Sequence, residues 1–235
     1  VNNLSYRYPN VEEFAIDGVS FDVQASERVC IAGFNRSGKS TLSQLLLGLY
    51  EGYEGSIAYN NLSMRDLNKN SLRRLIGDNT SKEQIFIGTI LENITLGIPD
   101  VPIEDVIWAT DNVGLTDFIH ELPEGLQTEL TGGSIRLPAS VSRKIIMARC
   151  LVMRPKMLLL DDFWGGMEKH EKLRLVQMLS SHKFSWTLLI ISNDPEVMAI
   201  CDRTLLLKEG KLVAHGNFEE IRHTTPYQQL ANLTV

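Results

Sequence analysis

The sequence predicts an α/β fold with a mostly parallel sheet covered by helices on both faces. Three observations predict it: short apolar runs alternate with helical spacings, a glycine-framed loop (Gly33–Thr41) joins one such run to a helical pattern, and Met157-Leu158-Leu159-Leu160 runs straight into Asp161-Asp162. Strands that alternate with helices pair in parallel, because a crossover must carry the chain back before the next strand begins. Ligands of such sheets gather at the carboxyl ends of the strands.

Taken in order, Val1–Tyr8 and Val19–Val23 alternate as strands do, with Pro9, Asn10, Asp17 and Gly18 as turn residues beside them. Val29-Cys30-Ile31-Ala32 reads as a buried strand, and Leu42, Leu45 and Leu46 fall on one face of the helix that follows. Gly52 and Gly55 mark turns, Ser56–Tyr59 another strand, and Ser71–Leu75 a short helical piece. From Thr89 to Val152 the spacing becomes helical, with one stripe at Ile103, Val106, Ile107 and Thr110 and another at Val141, Ile145, Ala148 and Val152. This stretch reads as an inserted helical subdomain, residues 89–152, within a core formed by 1–88 and 153–235. Strand patterns resume at Met157–Leu160, Thr187–Ile191, Thr204–Leu207 and Lys211–Ala214, with Glu209-Gly210 turning between the last two.

A chain of 235 residues can bury a full core. Its 23 basic and 29 acidic residues leave a net charge of −6, and no run of Lys and Arg forms a groove for DNA or RNA, so nucleic acid is not expected as a partner. Cys30, Cys150 and Cys201 lie far apart among apolar neighbours, which fits reduced thiols of a cytosolic domain and argues against a metal site. No segment approaches the roughly 20 apolar residues that span a bilayer. The start at Val1 rather than Met leads us to expect a domain of a longer polypeptide, although processing would leave the same start.

Gly33-Phe34-Asn35-Arg36-Ser37-Gly38-Lys39-Ser40-Thr41 fits the G-x-x-x-x-G-K-[ST] phosphate-binding pattern without a mismatch. The chemistry follows from backbone geometry: glycines let the main chain wrap a phosphate chain so that successive N–H groups face its oxygens. A helix beginning near Lys39 adds its positive end. Lys39 can place an ammonium between the β and γ phosphates, and the Ser40 hydroxyl is a hard oxygen ligand for Mg²⁺. By itself Asp161-Asp162 reads equally as a solvated acidic turn. With Lys39 and Ser40 upstream, Asp161 reads as the carboxylate that holds Mg²⁺, usually through water, and its neighbour as a group that orients the attacking water.

Further motifs extend the pattern over essentially the whole chain. Ser5-Tyr6-Arg7-Tyr8-Pro9, Phe86–Ile94, Leu122–Thr128, Asp202-Arg203-Thr204 and Glu209–Gly216 stand in an order that resembles the nucleotide-binding domain of ATP-binding cassette (ABC) transporters, the exporter branch above all. That resemblance implies a P-loop NTPase core with an N-terminal antiparallel β subdomain and the helical insertion. It implies ATP and Mg²⁺ as cofactors, with Tyr8 stacking on adenine. It also implies a second nucleotide-binding domain as partner, alike or different, a transmembrane domain on the same or another chain, and a place at the cytoplasmic face of a membrane.

Departures from the family pattern carry the functional expectation. Where the family has Leu-Ser-Gly-Gly-Gln, counting back from Ala148-Arg149 reaches Leu137-Pro138-Ala139-Ser140-Val141. Proline at the serine position removes a hydroxyl and an N–H, and the side chains of Ala139 and Ser140 obstruct the approach that glycine permits. An alternative alignment onto Thr131-Gly132-Gly133-Ser134 restores glycines but lengthens the spacing to the next helix. The position of the catalytic glutamate holds Asp162, one methylene shorter, and a displacement of about 1 Å can cost on the order of 100-fold in rate. The expected histidine is Asn193, a neutral amide, and the expected glutamine is Ser81, too short to meet metal and water together, with Gln84 only a chain slip away. Phe163-Trp164-Gly165-Gly166-Met167-Glu168 replaces a segment of small residues, either for interface contact or for ordinary packing. The expectation is a domain that holds Mg-ATP through Lys39, Ser40 and Asp161 and hydrolyses it weakly or not at all. The alternatives are a working transport ATPase with Asp162 as base and a complementing partner, and a soluble regulatory or scaffolding protein.

Overall fold

The computed structural model describes residues 1–79, 85–130, 137–161 and 167–232. The chain opens with β1 (Asn2–Tyr6) and β2 (Ile16–Val19), passes through β3 (Arg28–Gly33) and α1 (Lys39–Leu46), and returns to β4 (Glu54–Ser56). A hairpin of β5 (Ala58–Tyr59) and β6 (Leu62–Ser63) leads to α2 (Lys69–Arg74) and β7 (Ile76–Asp78). Next come β8 (Gly88–Thr89), α3 (Ile90–Thr95), α4 (Ile103–Val113), α5 (Thr116–His120), β9 (Glu129–Leu130) and α6 (Ala139–Leu151). The remainder is β10 (Met157–Asp161), α7 (Lys169–Leu179), β11 (Thr187–Ile191), α8 (Pro195–Ile200), β12 (Arg203–Lys208), β13 (Lys211–Gly216), α9 (Phe218–Ile221) and α10 (Thr225–Ala231).

The central sheet runs β13-β12-β3-β11-β10-β7, with every neighbouring pair parallel except the hairpin β12–β13. The inner strands β3, β10, β11 and β12 are largely apolar because both of their faces are covered, and period-two alternation sorts them. Val29, Ile31, Leu159, Leu189, Ile191, Leu205 and Leu207 pack with α1 and the N-terminal strands. Cys30, Ala32, Leu158, Leu160, Leu188, Ile190 and Leu206 pack on the opposite face with residues of α3, α4, α6, α7 and α8. The antiparallel sheet β2-β1-β4 lies on the α1 side. The sheet is thus mixed, mostly parallel and carries the expected antiparallel strands and helices.

Three local expectations need correction. The second strand is Ile16–Val19 rather than Val19–Val23: Leu4 pairs with Val19 and Tyr6 with Ile16, and the register shifts between them. Gly18, at φ 62°, lies inside that irregularity, so it bends a strand instead of ending one. Ser56–Tyr59 is split, because buried Ile57 turns the chain from β4 into the separate β5–β6 hairpin, where its carbonyl accepts from the Met64 amide at 2.8 Å. On α4 the buried stripe is Val106, Ala109, Thr110 and Val113, while Ile103 and Ile107 are exposed. Packing against α3 and α6 selects that face, which overlaps the expected one at only two positions. The α6 stripe at Val141, Ile145, Ala148 and Val152 is buried as expected.

Candidate functional site

The carboxyl ends of β3, β10 and β11 meet at the amino end of α1. Gly33 closes β3, and Gly38, at φ 96°, is the N-cap of α1. A Cβ on Gly38 would lie 2.3 Å from the Ala15 carbonyl oxygen, so glycine is required both by the left-handed backbone and by the close passage of the chain entering β2. The loop is braced from its other side: Ser37 is buried, its amide bonds the Phe34 carbonyl at 3.2 Å, and its carbonyl accepts from Gly210 at 3.2 Å. Lys39 curls back over this loop, its Nζ donating to the carbonyls of Gly33 and Phe34, each at 2.8 Å. Asn35 and Arg36 lie on the exposed crown, Arg36 at φ 60°.

Asp161 ends β10, one strand away from β3 across β11. The Ser40 hydroxyl donates to its Oδ2 at 3.2 Å, which brings together the two predicted metal ligands from residues 121 apart in sequence. A hydroxyl and a carboxylate are hard oxygen donors, and this close together they would serve one Mg²⁺ directly or through a bound water. The donor set therefore suits Mg²⁺.

Tyr8 stands just beyond β1 and is 36% exposed. It shares an open cleft of about 300 Å³ with Ala15 and residues Arg36–Thr41. Its hydroxyl is 2.9 Å from that of Thr41, and its ring meets Tyr6 and Tyr50 edge to face, with centroids at 5.3 and 5.6 Å. A hydrogen bond with Tyr8, together with burial, raises the Tyr50 phenol above its ordinary value. Tyr6 is the buried aromatic of this strand, and Tyr8 is the one facing the phosphate loop.

Asn193 follows β11 and joins the same site, but its amide is engaged with main chain. Oδ1 accepts the Gly33 N–H at 2.9 Å, and Nδ2 donates to the Gly33 carbonyl at 3.0 Å. The side chain thus clasps the first residue of the phosphate loop. Its neighbour Asp194 caps α8 through the Glu196 amide and pairs with Lys172 of α7. Burial works against ionisation of Asp194, but the Lys172 hydrogen bond and the capped amides outweigh it and hold the carboxyl below the usual range.

The stretch expected at the signature position, Leu137–Val141, sits elsewhere, at the start of α6. Pro138 is the N-cap, makes no side-chain capping bond, and is exposed together with Ala139. Within this helix Lys144 pairs with Glu171 of α7 at 2.9 Å. Ser81, Gln84, Thr131–Ser134, Asp162 and Phe163–Gly166 lie outside the described residues. Asn79 was missed by sequence reasoning. Its amide binds the Asp161 main chain, and its sequence context, directly after Ile76-Gly77-Asp78, carries no pattern that marks it.

Fold and site together define a P-loop nucleotide-binding domain of the ABC class. The family profile described as ABC transporter matches residues 16–164. The chain is 32% identical over 219 residues to an uncharacterized ABC transporter ATP-binding protein, YfiB, of Bacillus subtilis, covering 93% of this chain and 38% of that protein. It is 28% identical over 233 residues to an ATP-dependent lipid A-core flippase of Pseudomonas fluorescens, covering 99% of this chain and 39% of that one. A solved bacterial Atm1-family ABC exporter with ATP bound superposes with a TM-score of 0.90 at 26% identity, over 100% of this chain and 41% of that structure. The chain belongs to the ABC transporter family, as an ATP-binding domain of the exporter type. It spans about two fifths of the length of each of these relatives.

Proposed function

We propose that this domain binds Mg-ATP, hydrolyses it weakly or not at all, and closes against a second nucleotide-binding domain so that nucleotide occupancy drives a transmembrane exporter. The observation that carries the reading is the contrast within one site. Lys39, Ser40 and Asp161 are gathered at one end of the sheet, which supports binding, whereas both groups of the Asn193 amide are hydrogen-bonded to Gly33. In this reading Lys39 leaves the Gly33 and Phe34 carbonyls for phosphate oxygens, Tyr8 carries the adenine, and Ser40 with Asp161 holds Mg²⁺. Bound there, Mg²⁺ neutralises charge on the phosphate oxygens. Asn193 cannot supply a cation at the γ-phosphate, and while clasped to Gly33 it cannot orient water either.

The Pro138 cap weakens the other half of a composite site. A partner with a glycine-bearing signature would complete the site formed on this chain's Lys39, whereas a copy of this chain would leave both sites short of it. The helices of residues 89–152 would move as a unit to bring α6 to that partner. Among the described residues no helix is long and apolar enough to cross a membrane. In this reading the transmembrane domain lies elsewhere on the polypeptide or on another chain, and this domain works at the cytoplasmic face.

The test is nucleotide affinity and steady-state ATPase of the purified 235-residue chain. Expected are Mg-ATP binding that Lys39→Ala removes and turnover near background. Turnover of several per second, lost in Asp162→Asn, establishes the working-ATPase alternative instead. Failure to bind at millimolar nucleotide refutes the binding reading.

A further inference from the structure

Strand β7 ends at Asp78, which pairs with Leu159 of β10, so the parallel ladder on that side stops two residues short of Asp161. Asn79 fills the gap with its side chain. Its Oδ1 accepts the Asp161 N–H at 2.8 Å and its Nδ2 donates to the Asp161 carbonyl at 3.0 Å. A primary amide presents a carbonyl and an N–H side by side, as a single strand residue presents its own N–H and C=O to a neighbour, so the side chain acts as one more rung of the sheet. On the opposite side Asp161 pairs with Ile191 of β11. Its main chain is therefore held from both edges while its carboxylate meets Ser40.

The end of β7 is itself anchored. The Cys150 thiol of α6 donates to the Asp78 carbonyl at 3.2 Å, and Gly77 lies so close to α6 that a Cβ there would come within 2.1 Å of the Cys150 carbonyl oxygen. Asn79 thus hangs from a fixed point. Fixing the main chain of Asp161 fixes its Cα–Cβ direction, so that only the two side-chain torsions, one of them restrained by the Ser40 hydroxyl, remain to place the carboxylate oxygens. Mg²⁺ tolerates little departure from octahedral geometry, so the direction of that carboxylate matters more to metal affinity than to general stability.

We propose that Asn79 is a positioning residue that aims the Asp161 carboxylate at Mg²⁺ through its main chain. This rests on the reading that the domain binds Mg-ATP. It makes no contact with nucleotide and takes no part in proton transfer. Its role is a property of Mg²⁺-dependent binding alone.

The experiment compares the full chain with Asn79→Ala and Asn79→Val, the latter keeping strand propensity so that folding is preserved. Affinity for a fluorescent ATP analogue is measured with millimolar Mg²⁺ and with a chelator in its place, and thermal midpoints are recorded alongside. The expected result is that the affinity gained from Mg²⁺ falls about threefold to tenfold in both variants, the factor matching the net worth of one hydrogen bond. Affinity without Mg²⁺ stays at the wild-type value. Equal losses with and without Mg²⁺ would make Asn79 a structural bracket only and overturn the proposal, as would no loss in either condition. If the wild-type chain binds no nucleotide, the proposed function fails and takes this inference with it. If it binds equally well with and without Mg²⁺, Asp161 holds no metal and the inference alone fails.

Discussion

Removing the amide of Asn193 should cost folding stability before it costs anything else. In Asn193→Ala both bonds to Gly33 disappear, but their consequences differ. The Gly33 carbonyl still accepts from Lys39 at 2.8 Å, so on that side the loss is about the net worth of one hydrogen bond, ~1 kcal/mol. The Gly33 N–H belongs to a buried residue and loses the acceptor that faces it, a desolvation cost of about 1–3 kcal/mol. Together these come to roughly 2–4 kcal/mol. For a chain of this size each kcal/mol shifts the midpoint by about 2–4 °C, so the expected fall is on the order of 4–16 °C. Urea denaturation and thermal melts without nucleotide measure it directly. A loss below about 0.5 kcal/mol, within the range of an ordinary surface change, would refute the view that this amide is committed to holding the loop.

Gly38→Ala forces a Cβ to within 2.3 Å of the Ala15 carbonyl at φ 96°, and the strain of about 1–3 kcal/mol should lower both the thermal midpoint and nucleotide affinity. Asp194→Ala removes the α8 cap and the Lys172 pair, and urea denaturation should show a loss of about 1–2 kcal/mol. The carboxyls of Glu171, Asp194 and Glu196 are all held below their ordinary values, Glu171 chiefly by Lys144 and Glu196 chiefly by Lys169. The stability they confer is complete above the unfolded-state values near about 4 and drains away as pH falls through the lower folded ones. Urea midpoints taken from about pH 5 downward should therefore fall more steeply in the wild type than in Lys172→Met. Contact with the Cys201 thiol and burial push Cys30 up, and burial pushes Cys150 up to about 12. Both thiols should react with a thiol reagent near pH 8 far more slowly in the native chain than in urea, and rapid native labelling would count against the burial.

Much of the fold was legible because its signals are local. An apolar run, a glycine at positive φ or a helical stripe reports on neighbours a few residues away, and the stripe of α6, the strand at Val29–Ala32 and the phosphate loop all follow such rules. Where the reading slipped, at Ile16–Val19, Ile57 and the exposed pair Ile103 and Ile107, the deciding partner lay far along the chain: β1, the β5–β6 hairpin, and the packing surface of α3 and α6.

The same division runs through the site. Sequence alone determined the chemistry on offer: a lysine and a hydroxyl on a glycine loop, a carboxylate after a buried strand, and an asparagine two residues beyond another. It determined these because residue type sets charge, donors and acceptors wherever the side chain ends up. Only the tertiary structure decided what each group does with that capacity. It set Ser40 beside Asp161, turned Asn193 onto Gly33, and gave Asp161 the unforeseen support of Asn79. Those pairings span 82 to 160 residues of sequence, a separation across which no local pattern reports, and they arise because a parallel sheet delivers the carboxyl ends of distant strands to one edge.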